Sequence, residues 1–288
     1  MSFQLRVLNQ RPLDILILNR RPLNSGGYGD LEIGQRSDNG AWVVIKFLRE
    51  FSSPDARKRF LREVRVLLRR YRGLIQLLWW DTDAERPYYI MPYLLGGSLT
   101  KHAGKLSEAQ LHAVALDLAL TLADIHGKFD AHGDFKPDNI LVSYEGHLQV
   151  ADPLGNGINC SVIFAQNHGG TPGYWAPEIA ANGPISAAGD VYSYGATLYH
   201  LLTGKRPQDG ERFEISLAGY STSPRIREII LASCQKTPAA RPTIVEVLRI
   251  LQGESWLEIQ VAKQKSDRLL MGLCAAASFL FFFGIFFE

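Results

Sequence analysis

The stretch AHGDFKPDNILV, residues 131–142, crowds His132, Asp134, Lys136, Asp138 and Asn139 together just ahead of the apolar run Ile140–Val142. Any one of these side chains alone would suit a solvated loop. Their spacing, with two short apolar runs following, points to chemistry instead. Asp134 is placed to accept a proton from a hydroxyl. Lys136 can steady a transferred phosphoryl group. Asn139, five residues after Asp134, can offer its amide oxygen to a metal. The next apolar run ends in QVADPLGNG, residues 149–157. Asp before Pro is a common turn signal, but beside Asn139 the carboxylate of Asp152 becomes a second oxygen ligand. Such a pair suits a hard cation such as Mg²⁺, which binds through a few carboxylates and substrate phosphates rather than an all-protein cage.

Working outward to the N-terminal side, two charges need partners. Lys46 lies inside the strand-like run WVVIKFL, where both alternating faces are apolar: Trp42, Val44 and Leu48 on its own side, Val43, Ile45 and Phe47 on the other. Glu63 falls among Phe60, Val64, Leu67 and Leu68, the apolar stripe of a helix opened by Ser53 as N-cap and Pro54 at the first position. A buried unpaired carboxylate is costly, so an inward Lys46 and an inward Glu63 satisfy each other. Upstream, Gly26, Gly27 and Gly29 in NSGGYGDL lie between two strand-like runs, where backbone N–H groups can approach a phosphate without side-chain obstruction.

The elements follow the same order. DILIL, LEIGQR and AWVVIKFL read as strands, the last two joined by the turn SDNG. LIQLLWW and YYIMPYL read as strands as well. After GGS the pattern turns helical, with Ser107 and Gln110 forming a capping box and further helices expected over about 187–204, 225–236 and 241–252. A strand-rich half followed by a helical half predicts an α+β protein with a cleft between two lobes.

With 288 residues, 46% of them hydrophobic, the chain can build one large domain or two lobes. The balance of 31 basic against 29 acidic residues argues against a nucleic-acid partner. Cys160, Cys234 and Cys274 are too scattered for a disulfide framework or a zinc cluster, which suits a reducing compartment. The N-terminus carries no secretory signal, since Arg20 and Arg21 cut the apolar run short. LLMGLCAAASFLFFFGIFF, residues 269–287, carries no charge. As a helix it would span about 28 Å, close to the hydrocarbon core of a bilayer. Lys263, Lys265 and Arg268 precede it, which predicts a single-pass C-terminal anchor with the larger part of the chain in the cytoplasm. Gly272 and Ala276 are spaced to let two spans pack as a weak homodimer.

These residues resemble the eukaryotic-type protein kinase family, over about residues 12–252. VVIK resembles the family's VAIK and implies that Lys46 binds phosphate. Glu63 matches the helix C glutamate that pairs with it. HGDFKPDN resembles HRDLKPxN, implying Asp134 as catalytic base and Asn139 as a metal ligand. ADPLG stands where DFG is expected and places Asp152 on Mg²⁺. GTPGYWAPE resembles the end of an activation segment, with Thr171 near the substrate and Glu178 paired to Arg241 of ARPT. GDVYSYG, around Asp190, matches the helix F signature. The resemblance puts Met91 at the gatekeeper position, the Pro92 carbonyl and Leu94 N–H on adenine, Leu31 and Val44 above the ring and Leu141 beneath it. The order and spacing of these motifs are specific.

The resemblance implies a bilobal protein kinase-like fold, with an N-lobe over about 12–92 and a C-lobe over about 93–252. A juxtamembrane linker over 253–268 and a transmembrane helix over 269–287 follow. It implies an ATP- and Mg²⁺-dependent transferase acting on protein Ser/Thr hydroxyls; the Ser/Thr preference is carried by Lys136 and Thr171. The alternatives are a catalytically weak pseudokinase serving as a membrane scaffold, and a small-molecule phosphotransferase, against which the intact GTPGYWAPE argues. Three departures stand out. Asn24 replaces the first glycine of the phosphate loop. Gly133 replaces the arginine that pairs with a phosphorylated activation segment, so activity is expected without that phosphorylation and to survive Ser161→Ala. Pro153 and Leu154 replace the Phe and Gly of DFG. Leu154 is expected to resist a positive φ, and the segment to stay in one, active, state.

Overall fold

Seven residues of alternating faces, both apolar, make Trp42–Leu48 the centre of the N-terminal sheet. The computed structural model describes residues 17–26, 29–49, 53–128, 131–155 and 173–266. Within them β1 (Ile17–Gly26), β2 (Gly29–Arg36), β3 (Trp42–Leu48), β4 (Trp79–Asp81) and β5 (Tyr88–Pro92) form an antiparallel sheet of order β1-β2-β3-β5-β4. The two faces of β3 feed separate cores. Val43, Ile45 and Phe47 pack with Ile17, Tyr88 and Ile90 on the outer side. Arg20 and Arg86 cover that side, their guanidinium groups 5.5 and 4.8 Å from the centre of the Phe47 ring. Val44 and Leu48 face inward, into the cluster that joins both lobes.

Helix α1 (Pro54–Leu68) crosses the inner face. Ser53 accepts from the Ala56 N–H and Pro54 occupies the first turn. Phe60, Val64, Val66 and Leu67 are buried, whereas Leu68 is 38% exposed. The inward stripe thus takes Val66 in place of Leu68. LIQLLWW is not one strand. Only its last two residues join β4, because the start of the run pairs elsewhere: Leu74 bridges to Val150, and Ile75 N–H donates to the Val150 carbonyl at 2.9 Å. This contact ties the segment after α1 to the second lobe.

The second lobe opens with β6 (Gly97–Ser98) and helix α2 (Glu108–Gly127), whose capping box is Ser107 with Gln110. β7 (Ile140–Val142) and β8 (Leu148–Val150) complete a small sheet of order β6-β7-β8. The helices α3 (Pro177–Ala180), α4 (Ala187–Thr203), α5 (Phe213–Ser216), α6 (Pro224–Ser233) and α7 (Ile244–Gln252) follow. Residues 256–266 are also helical, with Ile259 buried. α4 is buried from Gly189 to Leu201, the signature of a helix at the centre of a lobe. Two of its buried polar residues meet the same tyrosine: Ser193 donates to the Tyr174 carbonyl at 2.8 Å, and His200 Nδ1 meets the Tyr174 hydroxyl at 2.5 Å.

Among the described residues no helix is long and apolar enough to cross a membrane. The run 269–287 lies outside them, as do Gly27, Ser161 and Thr171.

Candidate active site

The site is assembled by two ladders and one helix. In the first ladder β3 carries Lys46, flanked by Leu31 on β2 and Tyr89 on β5. Lys46 is 6% exposed and Glu63, delivered by α1, is 5% exposed. Lys46 Nζ lies 2.7 Å from Glu63 Oε1 and 2.8 Å from Asp152 Oδ1. Burial alone would weaken the ammonium as a cation, but the Asp152 and Glu63 carboxylates outweigh it and the Lys46 pKa is raised. Burial pushes Glu63 up to about 7, against the pull of Lys46. Asp152 is held below the ordinary carboxylate range: burial works upward, and the Lys46 ammonium overcomes it.

The second ladder sets Asn139 beside Asp152. β7 pairs with β8 from Ile140–Val150 to Val142–Leu148, and the Ala151 N–H donates to the Asn139 carbonyl at 2.8 Å. The residue before each metal-ligand candidate, or the residue itself, is therefore backbone-locked to the other strand. Asn139 Nδ2 donates to the Asp134 carbonyl at 2.9 Å and to Asp134 Oδ2 at 2.8 Å. With its nitrogen engaged, the amide has its oxygen left for a cation. Lys136 Nζ reaches both Asp134 oxygens, at 2.9 and 2.8 Å.

His132 ties this loop to the Asp152 segment. Its Nδ1 accepts from the Asp134 N–H at 3.2 Å, and its Nε2 lies 3.0 Å from the Ala151 carbonyl. Those partners assign the neutral ring with its proton on Nε2. Burial, which lowers its pKa despite the nearby carboxylates of Asp190 and Asp134, favours the same state. The His132 carbonyl accepts from Leu154 N–H at 2.7 Å. Asp152 thus sits between two residues anchored to His132. Its φ of 58° is in the left-handed region, and Gly155 follows with φ 79°. The expected conflict at Leu154 does not arise. The positive φ falls on an aspartate, which tolerates it better than most residues, and on a glycine. Leu154 is instead buried, at 7% exposure, in the core shared by the lobes.

Asp190, at the start of α4, holds the loop from below. It accepts from the His132 N–H at 2.7 Å and the Gly133 N–H at 2.8 Å, and His126 Nε2 lies 2.9 Å away. The sequence marked Asp190 only by motif; its three partners come from distant segments. Tyr89, which donates to Glu63 Oε1 at 2.5 Å, went unseen for the same reason. The signal that could have found it is its position opposite Lys46.

The remaining residues divide clearly. Val44 pairs with Met91, and both are buried; Leu31 and Leu141 pack partly buried against the same cluster. Pro92 ends β5. Tyr93, not Pro92, donates to the Trp42 carbonyl, at 3.1 Å, and β4 pairs only as far as Ile90. The missing proline N–H therefore leaves no ladder bond unmade. Leu94 accepts from the Gly97 N–H at 3.1 Å just beyond. Gly26 faces Gly29 at the end of the β1–β2 hairpin. A Cβ on Gly29 would stand 2.6 Å from the Phe47 carbonyl oxygen and 3.2 Å from Lys46 Cγ, so glycine lets β2 lie close over the lysine. Away from the cleft, Arg241 grips Glu178 through two bonds of 2.7 Å and donates to three carbonyls, those of Gln235, Lys236 and Ala188.

Among the described residues no group of three or more His, Cys, Asp or Glu is placed to hold a metal. Asn139, which is buried, and Asp152, whose side chain is 43% exposed, supply two oxygen donors. That set fits a cation completed by phosphate and water.

The family model for the protein kinase domain matches residues 19–251. The chain is 31% identical over 254 residues to the probable serine/threonine-protein kinase PkwA of Thermomonospora curvata, covering 81% of this chain and 34% of that protein. It is 28% identical over 250 residues to mouse Aurora kinase C, covering 84% of this chain and 88% of that protein. It is 28% identical over 253 residues to the serine/threonine-protein kinase Pkn1 of Myxococcus xanthus, covering 80% and 36%. The chain thus spans about a third of the length of these two bacterial relatives. With the family match running from β1 into α7 and enclosing both ladders and the loop between them, the chain belongs to the protein kinase domain family.

Proposed function

We propose that this chain is an ATP-dependent serine/threonine protein kinase, tethered to a membrane by residues 269–287 with its kinase domain, residues 12–252, in the cytoplasm. The observation that carries the reading is the charge array across the cleft. Lys46 is held by Glu63 and Asp152 from one side, and Asp134 is held by Lys136 and Asn139 from the other.

Each group has work in phosphoryl transfer. Leu31, Val44, Met91 and Leu141 enclose an adenine ring, with the Pro92 carbonyl and Leu94 N–H at its edge. Lys46, oriented by Glu63, binds the nucleotide phosphates. Asn139 and Asp152 would hold Mg²⁺, which supplies neutralisation of phosphate charge. Asp134 accepts the proton of the incoming hydroxyl, and Lys136 stands beside it to offset charge on the transferred group. Catalysis of this type is mostly positioning, and the hydrogen-bonded catalytic loop supports it. The serine/threonine preference rests on Lys136 and on the named activity of the relatives. The tether rests on the uncharged run and on the basic residues before it.

The test is transfer from labelled MgATP to a generic protein substrate by the full chain in lipid vesicles. Asp134→Asn is expected to lower kcat at least about 100-fold while MgATP still binds. MgATP binding with no Asp134-dependent transfer would instead support a nucleotide-binding scaffold.

A further inference from the structure

Tyr89 is fully buried on β5, directly opposite Lys46 in the β3–β5 ladder. It touches α1 twice. Its hydroxyl donates to Glu63 Oε1 at 2.5 Å, the oxygen that Lys46 Nζ reaches at 2.7 Å. Its ring stacks on Phe60, one turn earlier on the same helix, with centroids 5.5 Å apart and planes at 30°. Lys46 Nζ lies 5.7 Å from the centre of that ring. The lysine end of the pair is a flexible four-carbon stem. The phenol is a rigid group on a central strand, with an apolar body and a polar tip. Burial, reinforced by the Glu63 carboxylate, keeps the hydroxyl far above its ordinary pKa, so it remains a donor.

We infer that Tyr89 is a positioning residue for phosphoryl transfer: from β5 it holds α1 where Glu63 can orient Lys46. This inference rests on the kinase reading above. The phenol acts through Glu63 and does not touch the nucleotide. Two fastenings, one polar and one aromatic, make the position of α1 a property of the N-terminal sheet itself.

Tyr89→Phe separates them, because it keeps the ring and removes only the hydroxyl. In the full chain in lipid vesicles, kcat/KM for MgATP is expected to fall about tenfold, the scale of one hydrogen bond to a charged group. Amide hydrogen exchange over 54–68 should quicken several-fold while exchange in α4 stays unchanged. In a Glu63→Ala background, where the hydroxyl has lost its acceptor, the same substitution should cost less than about twofold. An equal fold-loss in both backgrounds would assign the effect to general packing and overturn the inference. So would unchanged exchange over 54–68, whatever the activity. If the unsubstituted chain shows no Asp134-dependent transfer but Tyr89→Phe still loosens α1, the kinase reading fails and the fastening of the helix stands.

Discussion

His200 shows how a single buried ring can make the fold sensitive to acid. It is 3% exposed on α4, and its Nδ1 meets the Tyr174 hydroxyl. Burial, helped by Arg206, lowers its pKa below the ordinary 6.5. The unfolded chain therefore takes up a proton as pH falls through about 6.5 while the folded chain resists, and stability is lost in that window. His200→Gln keeps a neutral acceptor for Tyr174 and removes the titration. The gap in Tm between the unsubstituted protein and this variant should shrink on going from pH 7.5 to 5.5; an unchanged gap would contradict the assignment. At this scale the sequence was most readable where partners are close in the chain. Asp134, Lys136 and Asn139 lie within six residues and meet in space as their spacing suggests. Lys46 and Glu63 were legible for another reason, since each was an inward charge with nowhere else to go. Tyr89 carried no such anomaly. A tyrosine in an apolar strand is unremarkable until the register puts it opposite Lys46.

Elements depart from their sequence reading where pairing is non-local. LIQLLWW has the composition of a strand, yet Leu74 and Ile75 bind β8 rather than β5. Local pattern cannot show which partner takes the backbone. The loop around Asp134 gives a sharper case. Gly133 was notable for the arginine it replaces; the structure shows how little room it has. Its φ is 84°, and a Cβ there would lie 2.8 Å from Ile185 Cδ1 and 3.1 Å from Leu154 Cβ. Asp190 pins its N–H from beneath. Alanine at this position would add left-handed strain to a clash with two buried side chains. Gly133→Ala should destabilise the protein by about 2 kcal/mol and lower Tm by about 4–8 °C. Ile185→Ala, costly on its own at a buried site, should cost less in that background than in the unsubstituted protein. A Tm equal to that of the unsubstituted protein would show that the loop relaxes freely.

For the whole molecule, the bilobal α+β plan was legible because the period of apolar residues changes after GGS, and because strand and helix signals fall in separate halves. The apolar core that joins the lobes was less so. It draws on Val44, Val66, Leu74, Val150 and Leu154, which no local pattern groups together. The proposed membrane attachment belongs to this scale as well. Expressed in cells, the full chain should stay in the membrane pellet after alkaline extraction, and a chain ending at residue 266 should move to the supernatant. Release of both would remove the tether from the proposal.

The helix over 256–266 would set the geometry of the proposed tether. Trp256 N–H binds Glu228 at 2.7 Å, Ile259 is buried, and Lys263 still reaches Glu246 at 3.5 Å. From Ile259 the helix rises only about 10 Å to residue 266. The three steps on to Leu269 can add no more than about 11 Å even at full extension. An enzyme moored so closely would patrol a surface rather than a volume. Its choice of hydroxyls would then be governed as much by their height above the bilayer as by the sequence around them.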